Sequence, residues 1–357
     1  MLHYRVAVIP HSSLFLARER GNRVVRHSYP YIPASTLGGA LNTYFYQTGQ
    51  EEMVNGCRFG NAYPQVADAE EAVWMPTQRN YYVCSRCGKV HLVTDLGPGA
   101  TLRALICDAC RAPRREYTGV AQTMLSTDVC TLTARHQPGA RMLGAMTVGR
   151  TEVQRTTSTA VSGRLHMVQV LRARATRFVG DLCVQGAAAQ VIRTGMTFRL
   201  AIGGQRSRGS GQVELEIEEL LAGNSQTTGT VLAETPLLPL PDAHRDLVPA
   251  IEATTSGVFA KLAPHERWAA KPLRASKGLV AFLDTLALGS VMTMLHPSAI
   301  SLNDKVWFYR MGTGLSISLY GLHYSQLGAD LYEASDYTLT ELWVLGYGRM
   351  RWLDYKR

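Results

Sequence analysis

Lysine is nearly missing from this chain. Of its 37 basic residues only six are Lys (89, 261, 271, 277, 305 and 356), so 31 are Arg. Acidic residues are scarce in one stretch in particular: from Arg135 to Arg208 there are twelve arginines against Glu152 and Asp181 alone. Genomic base composition can favour Arg over Lys, but it does not thin out acids. A segment of this kind carries a positive field and points to a nucleic-acid partner. Long apolar runs are missing too, and none is uncharged over enough residues to span a bilayer. The N-terminal VAVIP is too short for a signal-peptide core and lacks the cleavage pattern. A cytoplasmic protein with no membrane partner is expected.

A phosphate-gripping lysine is absent where glycines would suggest one. The stretch GGQRSRGSGQVELEI, residues 203–217, opens with four glycines and two arginines in nine residues. Gly204 and Gly209 have the G-x-x-x-x-G spacing of a nucleotide loop, but Ser210 and Gly211 follow in place of its Lys. Val213, Leu215 and Ile217 alternate with Glu214 and Glu216, which predicts a strand. A nucleotide loop runs into a helix instead, so the pattern argues against ATP. The loop is either a flexible glycine turn or a place where backbone approaches a longer phosphate chain closely, with Arg206 and Arg208 alongside.

Cysteine is sparse but ordered. Four of the seven fall in YYVCSRCGKVH and LICDACRAP, where Cys84, Cys87, Cys107 and Cys110 make C-x2-C-x19-C-x2-C. Each C-x-x-C turn aims two thiolates at one point, and two such turns close a tetrahedral site around Zn2+. Four sulfur ligands leave no position for water, so the metal is expected to be structural. Two disulfides are the alternative, disfavoured in a cytoplasmic compartment, and His91 could replace one cysteine. Cys57, Cys130 and Cys183 are scattered and read as buried small apolar residues. Arg111, Arg114 and Arg115 follow the second turn directly and could present charge from a rigid base.

With 357 residues, 46% hydrophobic and 18% charged, the chain has room for two or three ordinary globular domains. Residues 2–9 alternate as a first strand. In STLGGALNTYFYQTG, Leu37, Ala40, Leu41, Tyr44 and Phe45 recur at helical spacing, with Ser35 as N-cap and Gly49 as stop. The first turn carries no acid, and Gly38 and Gly39 leave it open. That helix start either receives a phosphate or is a capped helix packed closely. Residues 164–174 and 177–186 read as two strands of a hairpin. Residues 187–202 begin helically, yet Phe198, Leu200 and Ile202 alternate like a strand. Leaving the cysteine module aside, the order is β-α-β-β-α-β, an α+β fold of ferredoxin-like arrangement. A Pro-rich passage, 222–246, reads as a connection. Beyond it a helical stretch is expected near 273–288, with strands near 306–309 and 315–320. Gly346, Gly348 and Arg349 echo the first glycine loop and suggest a second domain of related construction.

Several of these motifs are those of a known family. YIPASTLGGAL resembles the I-P-G-S-x-x-R-G-A-L element of the RAMP (repeat-associated mysterious protein) superfamily of CRISPR effector subunits. GGQRSRGSGQVEL is similar to that superfamily's glycine-rich loop. CRFGNAYP, residues 57–64, resembles an element of the type III-D effector subunit of the fifth Cas group. RTEVQRTTSTAVSGRLHMV is similar to the Arg-rich segment before the domain's second hairpin. Ala34 stands where the superfamily has Gly, Gly38 where it often has Arg, and Ser210 in place of a common aromatic. The resemblance covers 1–217, and the order of the motifs is more specific than any one of them.

The resemblance implies two ferredoxin-like (RRM-like) RAMP domains. The first covers 1–221 with a zinc-binding insertion at about 80–118, then a linker over 222–246, then a degenerate second domain over 247–357. It implies a helix through 187–202 reaching Gly203. It also implies a non-catalytic subunit of antiviral defence that binds crRNA, holds its 5′ tag and caps the filament of backbone subunits. Partners would be crRNA, backbone and large subunits, and target RNA indirectly. On that basis Arg206 and Arg208 would engage phosphates while Gly204, Gly209 and Gly211 let backbone N–H groups approach. Ser35 and Thr36 would position a nucleotide, and Arg150, Arg155 and Arg164 would add backbone contacts. Tyr29, Tyr31 or Phe59 either stack a splayed base or pack in the core.

Two other readings stay open. A backbone subunit that cleaves target RNA would place an Asp in a flexible loop, and Asp128 in LSTDVC is the nearest candidate. More often an Asp so placed is a turn former or N-cap. A guide-processing endoribonuclease would use His27 or His166 as acid or base, though the sequence pairs neither with a partner.

Overall fold

The computed structural model describes residues 2–16, 25–54, 56–67, 69–78, 81–92, 106–117, 119–125, 129–138, 145–150, 166–172, 176–221, 230–234, 265–269, 282–286, 291–293 and 350–355. In chain order the first part holds β1 (Leu2–Pro10), β2 (Val25–Arg26), α1 (Ala34–Gln47), β3 (Cys57–Phe59), β4 (Tyr63–Val66) and β5 (Ala69–Pro76). The cysteine-bearing part holds β6 (Tyr81–Cys84), β7 (Val90–Leu92), β8 (Arg114–Glu116), β9 (Gly119–Leu125) and β10 (Val129–Pro138). Next come β11 (Ala145–Arg150), β12 (His166–Leu171), β13 (Phe178–Val184), the one-turn helix α2 (Ala188–Val191), β14 (Thr197–Ala201) and β15 (Gln212–Leu220). The last are β16 (Thr230–Ala233), β17 (His265–Ala269), β18 (Phe282–Leu286), β19 (Val291–Thr293) and β20 (Met350–Tyr355). This is an α+β chain dominated by strands. It divides into two compact units, Met1–Met75 with Gly139–Leu221, and Pro76–Pro138 with Ala222–Arg357.

In the first unit, β14, β15, β1 and β13 lie side by side in that order, and β3 and β4 both pair with β13. Every one of these pairings is antiparallel. The burial of each strand follows its sequence. Phe198 and Leu200 of β14 are buried while Thr197 and Arg199 are exposed, and Val213, Leu215 and Ile217 of β15 are buried between half-exposed glutamates. β13, FVGDLCV, is buried at every position, as suits a strand covered on both faces. Against one face packs α1, whose Leu37, Leu41 and Phe45 recur every four residues and join Tyr4, Val6, Val8, Leu182 and Leu215 in one core. Each of these fully buried side chains stabilises the unit by about 1.5–3 kcal/mol. A second, small sheet of β11, β12 and β2 packs Val168 and Val170 on Phe15.

Three expectations give way here. The segments 164–174 and 177–186 do not form a hairpin. β12 pairs with β11 and β2, whereas β13 enters the main sheet beside β1. The alternating β12 needs only a one-sided core on Phe15, but β13, apolar except for the paired Asp181, is covered on both faces. The helix expected through 187–202 is one turn, and 197–201 is strand. The helix ends at Val191, where Ile192 turns extended; Gly195, at φ +85°, then turns the chain, and Phe198, Leu200 and Ile202 enter the core with period two. Third, Ser35 does not cap α1. Pro33 occupies the N-cap position, and the Ala34 N–H donates to the Asn61 side-chain oxygen at 2.9 Å. Gly49, at φ +71°, does stop the helix.

In the second unit, β9 and β10 are antiparallel, β10 and β20 parallel, and β20, β16 and β19 antiparallel in sequence. β16 lies inside the Pro-rich passage. Residues 282–286, expected to be helical, are strand β18, paired antiparallel with β17. Cross-strand hydrogen bonding there overrides a helical spacing. The strands expected at 306–309 and 315–320, and Gly346, Gly348 and Arg349, lie outside the described residues. Arg351 of β20 is buried and forms a bidentate pair with buried Glu234, at 3.1 and 3.2 Å from its Nη2. Among the described residues no helix is long and apolar enough to cross a membrane.

Candidate nucleic-acid interface and metal centre

The glycine-rich loop joins β14 to β15, so it is the tip of a strand hairpin. Gly203, Gly209 and Gly211 all have φ between +71° and +89°. The Ile202 N–H donates to the Gly211 carbonyl at 2.8 Å and closes the loop at its base. A Cβ on Gly203 would sit 2.5 Å from the Phe15 carbonyl oxygen, and one on Gly211 2.1 Å from that of Ile202. Gly203 and Gly211 are therefore required by packing within the chain, whereas Gly209 is required only by its left-handed backbone. Their donors are engaged as well: Gly204 N–H bonds the Phe15 carbonyl, Gly211 that of Ser13, and Gly209 that of Arg206. Held on this frame is a single 3-10 turn, Arg206–Arg208, with Arg206 exposed. No ion pair among the described residues takes up its charge. Arg208 is in the same turn.

The other sequence candidates fall differently. Ser35 and Thr36 lie half-buried in the first turn of α1, where the Thr36 N–H bonds the Pro33 carbonyl at 2.9 Å. Arg150 is the last residue of β11, in register with His166. Arg155, Arg164 and Asp128 lie outside the described residues, and His27 is exposed. Tyr31 and Phe59 are buried, and Tyr29 is half-buried with its ring 5.1 Å from that of Tyr31. Stacking on Phe59 is thus closed off by its place in the core. Among the described residues, two of the arginines of 135–208 are internally matched. Arg177 pairs with Glu216 and Glu218, and Arg193 donates to the carbonyls of Ala189, Gln190 and Ile192.

The four cysteines come together. Their sulfur atoms lie within 4.8 Å of one another, with Cys84 to Cys110 at 3.2 Å and Cys87 to Cys107 at 3.7 Å. Metal–sulfur bonds near 2.3 Å in a tetrahedron put sulfurs about 3.8 Å apart, so the set fits one thiolate-bound ion. None is in a disulfide. The two turns repeat one backbone design. Cys84 N–H bonds the Lys89 carbonyl and Gly88 N–H the Cys84 carbonyl; Cys107 N–H bonds the Ala112 carbonyl and Arg111 N–H the Cys107 carbonyl. Gly88, at φ +70°, and Arg111, at φ +59°, are therefore equivalent residues. The left-handed backbone costs a non-glycine residue about 1–2 kcal/mol.

Backbone donors tune the thiols. The N–H of Cys87, then that of Arg86, holds Cys84 down at about 6, and Cys107 is lowered by the N–H of Cys110 and of Ala109. The Ala112 N–H pulls Cys110 down too, but the Cys84 sulfur, burial and the other two sulfurs push it up to about 11. The lowered pair favours the thiolates a metal needs. His91 Nε2 lies 3.4 Å from the Cys107 sulfur and flanks the four-sulfur set.

One cluster has no signal in the linear sequence. His3 Nε2 lies 2.5 Å from Asp181 Oδ2, and His3 faces Cys183 across the β1–β13 register, all three buried. Burial pulls the His3 pKa down, but Cys183 and Asp181 outweigh it and raise it to about 9. Cys183 is thus part of a polar pair's surroundings, while Cys57 is a buried thiol pushed up to about 12 by burial, as an apolar side chain would be placed. Only alternation along β1 and β13 could have brought His3 and Asp181 to one face, and it needed the register to do so.

No family model and no curated protein matches the chain. Among solved structures it is similar to a chain of the type III-B Cmr-beta complex bound to cognate target RNA and AMPPnP, 12% identical over 81% of this chain and 86% of that one, TM-score 0.43. It is similar to oligomeric Cmr4 from Pyrococcus furiosus, 14% identical over 62% of this chain and 100% of that one, TM-score 0.26. It is also similar to a chain of a type IV-B CRISPR complex, 14% identical over 64% and 96%, TM-score 0.27. Similarity at this level assigns no role, which is argued below from the chain's own residues.

Proposed function

We propose that this chain is a non-catalytic RNA-binding subunit of a type III CRISPR effector complex, one that holds the 5′ tag of the crRNA and caps the filament of backbone subunits. The observation that carries the reading is the β14–β15 loop, which is pinned at its base and flanks by the Ile202, Gly204 and Gly211 N–H groups and leaves Arg206 in solvent. A rigid tip with an unmatched guanidinium suits a phosphate oxygen, which Arg grips through paired N–H groups. With the Gly204, Gly209 and Gly211 donors occupied, anion binding belongs to the Arg206 and Arg208 side chains rather than to those backbone N–H groups. The order β15, β1, β13, β3 supports a ferredoxin-like arrangement in the first domain, with α1 as its first helix and α2 as a vestige of its second. Ser35, Thr36, Arg150, Arg155 and Arg164 complete the proposed contacts. Zinc, held by four thiolates, keeps the 80–118 insertion folded and takes no part in chemistry.

Incubating the protein with repeat RNA, in EDTA and separately in magnesium, tests this. Intact RNA with retention that falls with salt is expected. Cleavage in magnesium would favour the backbone-subunit reading and Asp128. Cleavage in EDTA would favour an endoribonuclease.

A further inference from the structure

We infer that the cysteine turns carry a second phosphate-binding surface for single-stranded RNA, centred on Arg111; this rests on the RNA-binding reading above. The two turns are built alike, and each requires a left-handed residue one position after its second cysteine. The first turn supplies that residue as Gly88, which adopts the conformation without strain. The second places Arg111 there, although nothing in its hydrogen bonding demands a side chain. A strained backbone that a glycine would relieve marks a side chain kept for what it contacts.

The charge around Arg111 fits the same partner. Arg86, Lys89, Arg111 and Arg115 are all exposed. The one described acid within the turns, Asp108, is held by Arg114 at 2.8 Å, with the Arg114 side chain only 7% exposed. Among the described residues no ion pair takes up the other four cations. The four clustered cysteines and the β7-β6-β8 sheet fix the backbone that bears them, so little backbone has to be ordered when a phosphate chain arrives. Spaced cations on a rigid base, with the one described acid of the turns already matched, recognise a sugar–phosphate backbone without sequence preference.

Arg111→Gly tests this because it relieves strain while deleting the charge. With metal content unchanged, it should weaken retention of a single-stranded repeat RNA roughly three- to tenfold at low salt and make the salt slope shallower by about 0.7. Arg111→Lys should recover most of that loss. Equal retention by the native chain, Arg111→Gly and Arg111→Lys would overturn the inference and leave the proposed function standing. Absence of RNA retention by the native chain would overturn both. Should Arg111→Gly lose its metal, the triple variant Arg86→Ala, Lys89→Ala, Arg115→Ala decides. It keeps the turn's own backbone, and undiminished retention by it would overturn the inference.

Discussion

Two residues hold positions that their own chemistry resists, and both can be tested alone. At Arg111 the left-handed backbone costs about 1–2 kcal/mol, against which a glycine adds up to about 1 kcal/mol of unfolded-state freedom. Arg111→Gly should therefore range from neutral to about 1 kcal/mol more stable in denaturant unfolding of the metal-loaded protein; a clear loss would show that the side chain is a structural support. At His3 the pKa is raised to about 9 from an unfolded value near 6.5. The stability it contributes is complete below about pH 6.5 and is lost as pH rises through about 9. Asp181→Asn should flatten that fall and cost about 1.5–3 kcal/mol at pH 7, the range for a hydrogen bond to a charged group. Thermal melts of both proteins between pH 6 and 10 would show it, and parallel curves would contradict it.

Among the elements, the glycine loop separates strain from crowding. Gly209 and Gly211 both lie in the left-handed region, but a Cβ at Gly209 meets nothing within 4 Å while one at Gly211 meets the Ile202 carbonyl at 2.1 Å. Gly209→Ala should cost about 1–2 kcal/mol. Gly211→Ala should cost clearly more and loosen the loop from residues 12–16, seen as faster amide exchange at Ile202. Equal costs would mean that the loop closes differently. The legible elements were those whose periodicity matched the core they joined: β1, α1 and β15. What misled was periodicity without partners. The mostly apolar stretch at 177–186 and the alternation at 164–174 look like consecutive hairpin strands, yet each answers to a different sheet. Residues 187–202 carried both periods, and the burial of Ile192, Phe198, Leu200 and Ile202 in one core decided between them. The α1 cap comes from Asn61, far along the chain from Ser35, and no local pattern announces it.

At the scale of the whole molecule, charge and metal carry the account. The excess of Arg over 135–208 was plain in the sequence; which arginines are internally matched was not, because Glu216 and Glu218 reach Arg177 only through the fold. The four-cysteine frame was legible because ligand spacing is a local constraint. Cys84→Ser should remove the metal and unfold the 80–118 insertion, read by elemental analysis and by proteolysis confined to that segment; full metal content would contradict the ligand set. The central claim concerns the tip of the β14–β15 hairpin. The measurement that tests it most directly is the salt dependence of repeat-RNA binding by the native protein and by Arg206→Ala with Arg208→Ala. The account predicts weaker binding with a slope shallower by about 1.4 for two lost phosphate contacts and an unchanged melting curve. The same affinity and slope in both proteins would contradict it.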